Sequence, residues 1–437
     1  MTTTPDSFSL LRSRRFLPLF LTQTLGALND NLFKNALVVL ILFKAAGGGA
    51  PLVALSGGLF ILPYAFLSAT AGQLADRFDK SRMIRITKLW EAGIMLVGAP
   101  GFVFGSVPLL MAVLVGLGTQ AAFFSPLKFS ILPQHLAENE LIAGNALIEA
   151  GTFAGILVGT IAGGILVLLP DGPEIIAAGC LAVAGAGIVS AYAVPRAEPA
   201  APNLRIQLNI LHETGHLVTQ SQRAWMVWLP ILGISWFWTI GAVLLAEFPV
   251  VVKQTLHGSG QVATLFLTVF AVGVGAGSML VGRLLKGDLS ARHVPLATIG
   301  ISLFTWEFAR ACAAAGTLPD IAAVVSGLPG LRALVDLFAL AVFGGIYSVP
   351  LYAILQEQAP PQERARMIAA NNIVNAGFMV AGAVFSAVMA AFGASPAVIM
   401  TVMAAANLLM AAYICSLLPR NILQAGLRWS LAWFGLR

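Results

Sequence analysis

An aspartate, a lysine and several asparagines interrupt an otherwise apolar run near the N-terminus: Gly26-Ala-Leu-Asn29-Asp30-Asn31-Leu-Phe-Lys34-Asn35-Ala-Leu37. Asp30 and Lys34 are four residues apart with the acid first, the favourable order for a pair on one helical face. Asn31 and Asn35 repeat that spacing on a neighbouring strip. An ionisable group inside an apolar span is costly, and by default it marks a functional site. A face this polar is expected to look into a central cavity rather than at lipid. The alternative is a structural pair that fastens one helix to the next. Glu91, Lys128, Glu149, Glu247, Glu307 and Glu357 are further charges within or at the ends of apolar runs.

Other candidate chemistry is weaker. His212-Glu213-Thr214-Gly215-His216 fits the pattern H-E-x-x-H, in which two histidines on one helix face hold zinc and the glutamate acts as base. A catalytic zinc needs three protein ligands and an open position. Here no third ligand stands at a recognised spacing and a glycine interrupts the helix, so a chance match in a solvated linker is expected. Cys180, Cys312 and Cys415 lie in apolar runs without paired spacing, which supports neither a disulfide framework nor a thiolate metal site. His135, His257 and His293 read as solvated loop-edge residues. Gly273-Val-Gly-Ala-Gly277 lacks a following helix start and reads as packing, not as a nucleotide loop. No metal and no cofactor are expected.

The elements that must carry these residues follow from composition. The chain of 437 residues is 58% hydrophobic and 10% charged, against roughly 25% charged in soluble domains. Its mean hydropathy is +0.87. This is a polytopic membrane protein. A span needs roughly 20 apolar residues, and twelve stretches qualify: 16–43, 52–75, 84–104, 108–128, 141–169, 174–194, 225–252, 261–285, 294–314, 331–356, 367–392 and 397–418. All are expected to be helices, because backbone polar groups in lipid must be satisfied within the segment. The apolar segment after Arg12, Arg14 and Arg15 is too long for a signal-peptide core.

A repeat sets the domain plan. Ser125 to Gly151 (SPLKFSILPQHLAENELIAGNALIEAG) has a second copy from Val349 to Gly377 (VPLYAILQEQAPPQERARMIAANNIVNAG). Pro126-Leu127 falls on Pro350-Leu351, Asn145 on Asn371, and Glu149 on Asn375, at offsets of 224 before the polar loop and 226 after it. Two similar halves follow: a six-helix bundle over 1–194, a cytoplasmic linker over 195–223, and a second six-helix bundle over 224–419. Residues 420–437 place Trp429 and Trp433 on one face between arginines, as in an interfacial amphipathic helix.

With the N-terminus inside, cytoplasmic segments hold 20 of the 25 Lys and Arg and outer segments 4, with Lys34 in the first span. The positive-inside rule therefore puts both termini in the cytoplasm. The net charge of +6 is this topological signal and needs no nucleic-acid partner.

Six spans, a polar linker and six more spans, repeated across the halves, form a transporter plan with a site near the midplane. Gly72-Gln-Leu-Ala-Asp76-Arg77-Phe-Asp-Lys80-Ser-Arg82 resembles the inter-helix loop signature of the major facilitator superfamily. The resemblance implies a cytoplasmic latch of Gly72, Asp76, Arg77, Lys80 and Arg82. The acid would pair with an arginine and with a neighbouring helix N-terminus. The alternative is a solvated, positive loop from Arg77 to Lys88. The matching place in the second half keeps Gly282, Arg283 and Lys286 but has lost the acid. Gly151, Gly155, Gly159 and Gly163, four apart, resemble the fifth-helix motif of proton-coupled antiporters. Thr160 stands where that motif has proline, so tight helix packing is the expected role.

Within the superfamily, Asn29–Asn35, Gly72–Arg82, Ser125–Pro133 and Gly144–Gly164 together resemble the bacterial lysophospholipid transporter family over nearly the whole chain. That resemblance implies movement of lysophosphatidylethanolamine and related one-chain lipids from the outer to the inner leaflet of the cytoplasmic membrane. It also implies reacylation there by an acyltransferase or acyl-activating partner, fused or separate. Asp30 becomes the leading site residue, with Lys128 next. Asp30 would hold an ammonium, and Lys34 or Lys128 a phosphate. Asn31, Asn145, Glu149, Glu247, Asn371 and Asn375 complete the candidate substrate-binding set. The C-terminal stretch resembles the junction to acyltransferase domains in longer relatives. The competing expectation is a proton-coupled exporter of amphipathic drugs that uses Asp30 or Glu149 as proton carrier.

Overall fold

The computed structural model describes residues 7–44 and 49–416, which are helical apart from turns and connections, the longest of them over 193–209. Residues 420–437, expected to form the interfacial helix, lie outside the described residues. Among the described residues, twelve long helices occur in order: α1 Leu17–Lys44, α2 Gly49–Arg77, α3 Lys80–Val103, α4 Val107–Ser130, α5 Leu141–Leu166, α6 Gly172–Tyr192, α7 Trp225–Val250, α8 Gly260–Leu285, α9 Val294–Ala314, α10 Leu328–Gln358, α11 Arg364–Ala391 and α12 Pro396–Ser416. A shorter helix, Ile210–Arg223, occupies the linker. Among the described residues, ten of the long helices are long and apolar enough to cross a membrane. The others, α3 and α9, coincide with expected spans but carry charge: Lys80, Arg82, Arg85, Lys88 and Glu91 in α3, and Glu307 and Arg310 in α9.

Local chemistry sets the helix ends. Asp79 caps α3, its carboxylate accepting from the Arg82 backbone N–H at 2.9 Å and from the Ser81 hydroxyl at 2.6 Å. Burial alone would raise that carboxyl, but these hydrogen bonds outweigh it and hold it below its ordinary value. Proline in the first turn starts α4, α6 and α9, where its missing N–H would be unpaired anyway. Lys286, with φ 52°, closes α8 in the left-handed conformation of a helix C-cap.

The chain divides into two compact units. One comprises residues 1–144, 151–228 and 355–376; the other comprises 145–150, 229–354 and 377–437. In the first unit, a core of Phe33, Leu37, Met95, Phe102, Leu114 and Ile176 joins α1, α3, α4 and α6. Phe33 and Phe102 meet edge to face at 5.0 Å. The glycines of α5 have the effect their spacing predicts. A Cβ on Gly155 would lie 2.7 Å from the Thr24 carbonyl, and one on Gly163 2.5 Å from that of Leu32, so α5 rests directly on the α1 backbone.

In the second unit, Phe248, Phe266, Phe270 and Phe308 form an aromatic core with centroids 5.5–6.3 Å apart. Gly273 packs against Ala341 of α10, in keeping with the packing role expected for Gly273–Gly277. The linker is not a free polar tether. The Ala201 N–H donates to the Asp76 carbonyl at 2.8 Å and that of Gln207 to Gln73 at 2.7 Å, which pins its first half along the α2–α3 turn.

Candidate functional site

The first unit holds a cluster of charge at membrane depth. Lys88 and Glu91 form an ion pair within α3, and each is 1% exposed. The Asn29 amide donates to Glu91 Oε1 at 3.0 Å, and Gln120 of α4 donates to Glu91 Oε2 at 3.3 Å. Gly26 of α1 and Gly187 of α6 leave room for the Lys88 stem, since a Cβ on either would press against it. Lys88 is therefore not part of a solvated basic loop, as its neighbours Arg77 to Arg85 had implied. It lies two turns into α3. The available signal was Glu91 three residues on, a spacing at which helical side chains meet.

Asp30 lies one residue beyond Asn29, with Glu91, Lys88, Lys34 and Lys128 within electrostatic reach. Its Oδ1 is buried without a hydrogen-bond partner. Asp30 and Lys34 are not in ion-pair contact, contrary to the pairing their spacing favours. The Lys34 ammonium instead stands over the Phe60 ring of α2, 5.8 Å from its centroid. Asn31 turns back to the Ala27 carbonyl at 2.8 Å. Asn35 donates to the Asn31 carbonyl at 2.9 Å and to the Thr160 hydroxyl at 3.1 Å. Thr160, the residue that departs from the antiporter motif, thus ties α5 to the polar strip of α1. Lys128 sits over the Phe129 ring at 4.5 Å.

Asp30, Asn31 and Lys34 thus share α1, with Lys128 within electrostatic reach of Asp30, and the remaining candidates lie elsewhere. Asn371 belongs to the first unit, 1% exposed, with both amide atoms buried and unpaired. The neighbouring Asn372 accepts from Ser125 at 3.1 Å. In the second unit, Glu149 accepts from Ser348 at 3.1 Å and Glu247 from Ser386 at 2.5 Å. Asn145 is 2% exposed, while Asn375 is half-buried.

The acid of the latch signature meets an arginine and a helix N-terminus, and both come from α11 rather than from the signature itself. Asp76, fully buried, accepts from the backbone N–H groups of Ala365 and Arg366 at 3.0 and 3.2 Å and from the Arg366 guanidinium at 3.2 Å. These groups are the first turn of α11, where free N–H groups and the helix dipole favour an anion. Gly72 allows the approach, since a Cβ there would lie 2.9 Å from the Arg366 Cα. Arg77 instead covers the Phe78 ring, and Arg82 is exposed with only its backbone engaged. Lys80 is 1% exposed; burial lowers its ammonium below the ordinary lysine value, with Asp76 opposing. The arginine of the pair, Arg366, is 290 residues from Asp76.

His212 and His216 do share one face of the linker helix, their rings stacked 6.3 Å apart and exposed. Glu213 is buried at 8% exposure, whereas the two histidines are exposed. Among the described residues, no group of three or more His, Cys, Asp or Glu side chains is placed to hold a metal.

A helical membrane protein with charge buried among its helices and an acid clamped on a helix N-terminus has the character of a transporter. Residues 19–376 match the family model of the Major Facilitator Superfamily, and the chain belongs to that family. Its relatives include the lysophospholipid transporter LplT of Serratia proteamaculans, 30% identical over 373 residues that cover 82% of this chain and 84% of that protein. The Cronobacter sakazakii protein of the same name is 30% identical over 81% of this chain and 84% of its own length. Among solved structures, the human organic anion transporter MFSD10 superposes with a TM-score of 0.74 at 15% identity, covering 92% of this chain and 99% of that one. The proton:xylose symporter XylE gives 0.71 at 16% identity, covering 95% and 97%. These two likenesses concern the fold.

Proposed function

We propose that the protein transports lysophospholipids, moving lysophosphatidylethanolamine and related one-chain lipids from the outer to the inner leaflet of the bacterial cytoplasmic membrane by alternating access. Similarity over more than four fifths of the chain to proteins named lysophospholipid transporter supports the substrate class. The observation that carries the reading is the mixed charge around α1. A carboxylate with one oxygen buried and unpaired stands within electrostatic reach of Lys34 and Lys128. A zwitterionic head group offers the complement, its ammonium to Asp30 and its phosphate to a lysine.

On this reading both termini are cytoplasmic, each half is a six-helix bundle, and Asp76 with Arg366 forms a contact that the transport cycle must break. Reacylation by an acyltransferase or acyl-activating partner would draw the lipid inward. Labelled lysophosphatidylethanolamine is offered to spheroplasts of a bacterium lacking its own transporter. Cells with the wild type should accumulate diacyl lipid, and cells with Asp30→Asn should not. Equal uptake by the variant removes Asp30 from head-group recognition. No uptake by folded wild type shifts the reading to a proton-coupled exporter of amphiphiles.

A further inference from the structure

The second unit contains a cavity that the reading above leaves unused. It has a volume of about 480 Å³ and lies where the end of α7 meets the turn between α11 and α12. Its polar wall comes from Glu247, Gln254, Thr255 and Ser395, and Val250 and Ile399 contribute apolar surface. That volume falls within the roughly 300–1,000 Å³ of ordinary small-ligand sites.

Glu247 is 5% exposed. Among the described residues, no lysine, arginine or histidine lies within ion-pair distance of it. Ser386 donates to its Oε1, which leaves Oε2 as an acceptor. The backbone beside it is opened: α7 passes at its end into a five-residue π-helical turn, Val251–Thr255. Such turns are rare and concentrate at functional sites. Pro249, just before the turn, cannot donate to the helical ladder, which accounts for the local unwinding. Gly393, with φ +80°, forms part of the facing wall in a conformation that side chains other than glycine rarely adopt.

A carboxylate withdrawn from water calls for a cation, and among the described residues none supplies it. A primary ammonium supplies the charge and three N–H donors, which Glu247 Oε2, the Gln254 amide oxygen and the Thr255 hydroxyl can accept. We propose that this cavity is a docking subsite for the ammonium of an amine-bearing lysolipid head group, with Glu247 as its counter-ion. The inference rests on the lysolipid reading and on its topology, which puts the end of α7 and the α11–α12 turn on the outer face. The subsite would meet the head group there and favour ethanolamine over glycerol head groups.

The test compares wild type and Glu247→Gln in proteoliposomes, with labelled lysophosphatidylethanolamine and lysophosphatidylglycerol run in parallel. Glutamine keeps the volume and an oxygen for Ser386. The half-saturating concentration for the ethanolamine lipid should rise about tenfold, the scale of one charge-assisted hydrogen bond, with the glycerol lipid unchanged. An unchanged glycerol lipid also reports that the variant is folded. No shift, or the same shift for both lipids in folded protein, overturns the subsite and leaves the substrate reading standing. If Glu247→Gln loses its monodisperse detergent peak, Gln254→Leu takes its place and must show the same selective shift, or the subsite is rejected. If wild type moves neither lipid, the substrate reading fails. Calorimetry with glycerophosphoethanolamine then decides the subsite: Glu247-dependent binding retains it, and its absence rejects it.

Discussion

Lys88 and Glu91 answer each other where neither touches water, so removing one partner should do more damage than removing both. Glu91→Gln leaves an ammonium buried and unpaired, and it should cost about 3–5 kcal/mol of stability. The double variant Lys88→Met with Glu91→Leu should recover most of that loss. Thermal unfolding in detergent of the three proteins checks this, and equal losses would show that the pair is not coupled. Asp30 and Lys34 were legible in the sequence because a charge inside an apolar run stands out. Lys88 was not, because it closes a series of basic residues that begins at the α2–α3 turn, and only the helical register separates it from them. Arg366 was hidden for another reason: its partner Asp76 is 290 residues away, and no local pattern reports so distant a pairing.

At the scale of elements, the contact between α1 and α5 is set by backbone rather than side chains. Gly159 faces the α1 backbone, with a Cβ there 2.9 Å from the Leu32 N–H nitrogen, whereas a Cβ on Gly164 would meet nothing within 4 Å. Gly159→Val should therefore destabilise by about 1–3 kcal/mol or more, as overpacking does, and displace the Asn35–Thr160 hydrogen bond. Gly164→Ala should be neutral in the same assay. Unfolding of the two variants side by side distinguishes a packing face from a general intolerance of α5 to change. The four-residue glycine spacing made this interface visible beforehand. It could not say which helix would approach. The linker is exposed over most of its length, but its anchors to Asp76 and Gln73 use its own backbone N–H groups, which composition does not reveal.

At the scale of the whole molecule, composition and the twelve apolar stretches were enough for a helical membrane protein, and the repeat with the Gly72–Arg82 signature led to the superfamily that the family model matches. If Asp76 and Arg366 must part during each transport cycle, their contact has to hold one state without trapping it. Arg366→Lys keeps the charge but loses the planar fork that reaches Asp76 through Nε. Its transport rate should fall severalfold with the preference between lysolipids unchanged. A changed preference would place Arg366 in substrate recognition instead.

The central claim, that this chain carries a one-chain phospholipid across the bilayer through a site that includes Asp30, is tested most directly with purified protein in liposomes. Labelled lysophosphatidylethanolamine is added to the outer leaflet and then back-extracted with albumin over time. Wild type should shelter the lipid well above the rate of protein-free vesicles, and Asp30→Asn should fall to the protein-free rate. Shelter by wild type no faster than empty vesicles, with the protein shown to be folded, would contradict the account.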